Sequence, residues 1–128
     1  MVPGIIVITI ASILAIGHIW WGKQVPLKAL AEVGNPIPVL ASYHACWYHI
    51  SIIFGFTAVA SAAHLLTSWA NSELLWALWI IIFGCWLTYL GVVYRYPSMR
   101  RLGWGQITLI FVLLVALGIQ ADSVDHLR

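Results

Sequence analysis

At 128 residues the chain has the length of a single domain. Its residues are 62% hydrophobic and 8% charged, which excludes a soluble fold, because a soluble domain carries about 25% charged residues to cover its surface. The net charge of +2 gives no support for a nucleic-acid partner, so the partner that the composition demands is a lipid bilayer.

The opening Met1-Val2-Pro3-Gly4 has no basic residue ahead of the first apolar run. A removable signal peptide needs one, so the run predicts a permanent helix. That helix covers about residues 5–21, and Gly22 is expected to close it. Residues Pro26 to Val33 form either a short helix on the membrane surface or an irregular loop. As a helix they would turn Leu27, Leu30 and Ala31 toward lipid and Lys28 and Glu32 toward water. Gly34-Asn35-Pro36-Ile37-Pro38 then breaks the chain. The second long helix is predicted over 38–66. A polar turn from Thr67 to Ser72 follows, with Asn71 or Ser72 as the cap of a third helix over 74–94 and Glu73 in its first turn. Pro97 and Gly103 bracket the next loop, and a fourth helix covers about 104–121. Each run is near the ~20 residues that span a hydrocarbon core. The reading is all-α: one membrane domain, residues 1–128, folded as a four-helix transmembrane bundle.

Lys23, Lys28, Arg95, Arg100 and Arg101 fall in or beside the first and third loops, whereas Arg128 alone lies on the other side. The positive-inside rule predicts that those two loops are cytoplasmic, so the chain is N-out and C-out. Most of the eight Trp sit near run ends, as boundary anchors do. Trp47 is read as one of these. Trp79 and Trp86 lie deeper, where they pack or line a pocket.

Lys, Arg, Asp and Glu all sit at helix ends, so histidines are the ionisable groups well inside the membrane. Each intramembrane ionisable group is a functional candidate. Ala11, Ala15, His18 and Gly22 follow a helical stripe whose small residues predict a protein contact, so His18 should face protein. His44, Ser51, Gly55, Ala58 and Ala62 make a second stripe. Gly55 in its middle is expected to be where two backbones approach. His18 and His44 enter from the same side, at depths within roughly 5 Å of each other. His49 points elsewhere on the same helix. With Cys85, Thr88, Tyr89, Arg95 and Gln106 these residues predict a polar pocket opening to the cytoplasm. Its sharpest chemistry is haem b or a metal ion, since neutral imidazole is a common ligand. Against that, the interior has no Glu-x-x-His, no His-x-x-x-His and no acidic second ligand. The other readings are histidines that hydrogen-bond neighbouring helices, and a pocket for a quinone, a lipid or another small ligand. Cys46 and Cys85 lie inside apolar runs as small hydrophobes, without a disulfide framework. His64 and His126 are read as interfacial.

Gly17-His18-Ile19-Trp20-Trp21-Gly22-Lys23 with Pro26-Leu27, followed by His44-Ala45-Cys46-Trp47-Tyr48-His49-Ile50-Ser51, resembles a loose group of small, uncharacterised four-helix bacterial inner-membrane proteins. In that group a His on the first helix precedes a Gly and a polar loop, and a Trp-His pair opens the second helix. Here Tyr48 stands between Trp47 and His49. The resemblance covers about the first half of the chain. It implies the topology, a bacterial inner-membrane location and attention to His18 and His49, and it carries no activity.

Three functions follow as expectations. The first is a non-enzymatic subunit, a bundle that forms a homo-oligomer or docks on other membrane subunits. It follows from the lack of a nucleophile–base pair, phosphate loop or carboxylate dyad. The second is a b-type haem or metal-binding electron-transfer protein using His18 and His44, or His49. The third is an oligomeric small transporter or channel.

Overall fold

A computed structural model describes residues 1–34, 37–67, 71–95 and 100–125. Asn35, Pro36, Pro97, His126 and Arg128, which entered the sequence reading, lie outside the described residues. Five helices follow in order: α1 (Val2–Gln24), α2 (Pro26–Glu32), α3 (Ile37–Leu66), α4 (Ser72–Arg95) and α5 (Arg100–Asp125). Four stretches, Val2–Gln24, Tyr43–Leu66, Ser72–Arg95 and Gly103–Ser123, are each long and apolar enough to cross a membrane. The architecture is that of a small integral membrane protein.

Local chemistry explains the helix ends. Pro3 falls in the first turn of α1, where a missing N–H costs nothing. Gly22 does not end this helix. The chain stays helical to Gln24, the Val25 N–H bonds the Trp21 carbonyl (3.0 Å), and Pro26 then opens α2. The short loop helix is therefore present. Its Leu27 is buried against protein, whereas Lys28 and Glu32 form an exposed pair 3.9 Å apart. Gly34 follows with a φ of +73°, a left-handed conformation that favours glycine. Asn71 is the cap of α4: its Oδ1 accepts from the Leu74 N–H at 3.0 Å, and Glu73 sits in the first turn. Gly103 lies within α5, not in the loop, and is buried. A Cβ there would come within 2.5 Å of the Val93 side chain, so glycine lets α5 close on α4.

Packing follows the buried stripes. On α1, Gly4, Val7, Ala11, Leu14, Ala15, His18 and Gly22 are all buried, which is the stripe expected of a helix with one protein-facing side. This face packs most extensively on α3 and also meets α5. The other extensive seam joins α4 to α5, and α3 touches α4 more sparsely. Phe54, Leu75, Ile82, Leu113 and Leu117 fill the centre. Outward residues such as Ile13, Ile16, Ile52, Val59, Ile80, Phe111 and Ile119 remain exposed, and lipid would cover them.

Candidate functional site

The most elaborate polar arrangement sits on the α1/α3 seam, toward the end that carries α2. His18 is 7% exposed. Its Nδ1 lies 2.9 Å from Ser51 Oγ, and its ring stacks on Trp47 with centroids 4.0 Å apart and planes 6° apart. Trp47 in turn donates its indole N–H to the His18 carbonyl at 2.7 Å. Ser51 donates to the Trp47 carbonyl at 3.2 Å. The serine has one proton. When the hydroxyl gives it to the Trp47 carbonyl, His18 Nδ1 is the donor to Ser51 and Nε2 keeps a lone pair.

Gly22 makes this arrangement possible. Helical Cβ atoms lean toward the N-terminus, so the side chain at i+4 lies over the carbonyl of residue i. Gly22 stands four residues after His18 and leaves that carbonyl open. A Cβ at Gly22 would collide with Nε1 of Trp47. Trp47 is thus an interhelical clamp and not a boundary anchor. Its neighbour Trp21 lies half-buried, 5.6 Å away and tilted by 40°.

The depth match between His18 and His44 does not survive this geometry. His18 is level with Ser51, seven residues beyond His44, so His44 lies about 10 Å farther along α3 at 1.5 Å per residue. The described ring contact of His44 is with Tyr48, at 6.1 Å. His49 is exposed, two residues from Ser51 and so about 200° around the helix. On α4, Cys85 and Tyr89 are half-buried, whereas Thr88 and Arg95 are exposed, with the Thr88 hydroxyl turned back to the Gly84 carbonyl. Gln106 is the predicted residue that does meet His18. Both line a cleft of about 210 Å³ with Ile13, Leu14, Gly17, Trp21 and Leu109. Among the described residues, no three His, Cys, Asp or Glu side chains come together as a metal set.

Sequence reasoning missed a second polar cluster at the opposite end. Ser61 and Gln120, both buried, are joined by a 2.5 Å bond from the serine hydroxyl to Gln120 Oε1. The Gln120 amide donates to the Ser61 carbonyl at 3.4 Å, and the Gly4 carbonyl lies 3.4 Å from Ser61 Oγ. The helices α1, α3 and α5 therefore meet at the Ser61 hydroxyl. A glutamine inside an apolar run was the available signal, since a buried amide must find partners.

The α4/α5 seam is aromatic. Trp79 and Trp86 donate their indole N–H groups to the carbonyls of Leu114 (2.9 Å) and Ile107 (3.1 Å). Phe83 stacks between the two indoles. With Phe111 these rings line an apolar groove of about 330 Å³. Comparison with protein-family profiles, curated proteins and solved structures finds no match to this chain.

Proposed function

We propose that this chain is a non-enzymatic subunit of a bacterial inner-membrane assembly, with its first and third loops in the cytoplasm. The supporting observation is how its interior polar groups are used. Among the described residues, every buried side-chain nitrogen or oxygen has a hydrogen-bond partner, and those partners lie between or within helices of the same chain. His18 Nδ1, Ser51, Trp47, Ser61 and Gln120 hold the bundle together. That is the role expected of polar groups between membrane helices. The five-to-one Lys and Arg split supports the orientation.

The reading needs a face for a neighbour, and α4 supplies it. Ala77, Gly84, Thr88 and Gly91 follow spacings of 7, 4 and 3, and all four are exposed. A Cβ at Gly84 or Gly91 meets nothing within 4 Å. Small residues facing outward let a second backbone approach closely. Chain number after gentle solubilisation, read by native mass spectrometry, tests the proposal. The parent should carry more than one chain per particle. Gly84→Leu with Gly91→Leu should shift it to single chains without lowering the unfolding temperature of the chain itself. A parent that is a single chain without partners overturns the subunit reading. A stoichiometric Soret band in its absorption spectrum would replace it with the b-type haem reading.

A further inference from the structure

The cleft between α1 and α5 has the makings of a ligand site, independent of the subunit reading. Its polar members are His18 and Gln106, and its walls are Ile13, Leu14, Trp21 and Leu109. His18 Nδ1 is committed to Ser51 on α3. The two nitrogens of an imidazole face divergent directions, so Nε2 turns away from α3. No hydrogen bond of Nε2 falls among the described residues, and no fully buried side-chain nitrogen there lacks a partner. His18 itself lines the cleft, which gives Nε2 an opening on the side away from Ser51. The Ser51-directed tautomer makes this nitrogen an acceptor. Gln106 is half-buried and brings an amide that both donates and accepts.

We propose that this cleft binds the single-ring headgroup of a quinol or alkylphenol, with the hydroxyl donating to His18 Nε2 and the apolar tail left in the bilayer. Three observations select that class. The acceptor nitrogen calls for an O–H and not a bare carbonyl. The volume, about 210 Å³, is below the roughly 300–1,000 Å³ of sites for drug-sized ligands, which suits a small ring and excludes a porphyrin. The Trp21 indole in the wall supplies an aromatic surface for a ring. Gly17 belongs to the same wall and is itself exposed, which leaves an apolar way out toward lipid.

Gly17 also supplies the clean test. A Cβ there meets nothing within 4 Å, so Gly17→Leu fills the cleft without disturbing the fold, which replacement of His18 would do. Protein in phosphatidylcholine nanodiscs is titrated calorimetrically with decylhydroquinone and with its oxidised form, decylbenzoquinone, against empty nanodiscs. The parent should take up one decylhydroquinone per chain, about tenfold more tightly than the quinone, whose carbonyls leave the Nε2 lone pair unpaired. Gly17→Leu should abolish saturable binding, and Gln106→Leu should weaken it about tenfold. Gly105→Leu should bind as the parent does, because Gly105 is exposed on α5 with nothing within 4 Å and does not line the cleft. Uptake equal to that of empty nanodiscs, full binding by Gly17→Leu, or equal affinity for quinol and quinone would each overturn the assignment.

Discussion

The α1/α3 and α4/α5 seams use the same bond and secure it in opposite ways. In both, a tryptophan donates its indole N–H to a carbonyl of the facing helix: Trp47 to His18, Trp79 to Leu114 and Trp86 to Ile107. On the first seam the acceptor carbonyl is uncovered by Gly22 at i+4, and the indole is held between that glycine and the His18 ring. On the second, Gly118 stands four residues after Leu114 in the same way, but a Cβ there would reach Trp79 Nε1 only to 3.3 Å. At Ile107 the i+4 residue is Phe111, whose ring lies 6.0 Å from Trp86. The difference is one of slack. Trp47 is locked by exclusion, whereas Trp79 and Trp86 border an open aromatic groove and have room to move.

The comparison breaks first at Gly22. Gly22→Ala adds one methyl where the Trp47 indole already sits. The indole cannot give way without leaving both the His18 ring and the His18 carbonyl. The expected loss is about 3 kcal/mol, the upper part of the usual overpacking range, read as a fall in the SDS-induced unfolding midpoint in mixed micelles. A loss no larger than that of Gly118→Ala would mean that Trp47 is as free to move as Trp79.

The aromatic seam should respond more gently. Trp79→Phe and Trp86→Phe keep ring packing and delete one N–H donor each. The helical carbonyls of Leu114 and Ile107 retain their backbone partners, so each change should cost about 1 kcal/mol. The two tryptophans are seven residues apart, or about 10 Å along α4, which predicts additive losses in the double variant. Strong coupling in a double-mutant cycle would show that Phe83, stacked between them, makes the three rings one unit.

The sequence carried the outline of one seam better than the other. The 4, 3, 4 stripe through Ala11, Ala15, His18 and Gly22 is buried throughout, because small-residue spacing on a membrane helix directly encodes a contact face. The cap at Asn71 was equally legible, since it acts through local backbone chemistry, whereas the end of α1 was placed at Gly22 and falls at Gln24. What the stripe did not carry was register. Spacing along one helix says nothing about which residue of another stands opposite, and depth counted from run ends paired His18 with His44 when its partner is Ser51. The roles of Trp47 and Gly22 were lost for the same reason. Each is intelligible only through the other, across 25 residues of chain. Gln106 beside His18 was found, but Gln120 was not, although a single amide in an apolar run carries the same signal in both.

Gly55 gives the smallest expected effect and the sharpest separation of stripe from contact. It sits in the middle of the α3 stripe between Ser51 and Ala58, both buried, and by spacing alone it belongs to the α1/α3 seam. Yet it is half-buried, and a Cβ built on it meets nothing within 4 Å. The close approach is made instead at Gly22 by Trp47 and near the other end at Gly4, where a Cβ would come within 2.7 Å of Leu65. Gly55→Ala should therefore cost nothing within the chain. Relief of the glycine penalty in a helix interior, about 1 kcal/mol in water, tilts the expectation toward slight stabilisation. Unfolding midpoints of Gly55→Ala and Gly22→Ala, measured side by side, give the test. A fall at Gly55 matching that at Gly22 would return the contact to the middle of the stripe. An unchanged midpoint combined with loss of a multi-chain particle would instead make Gly55 part of a face between chains, because the added methyl would then meet a neighbour that a single bundle does not contain.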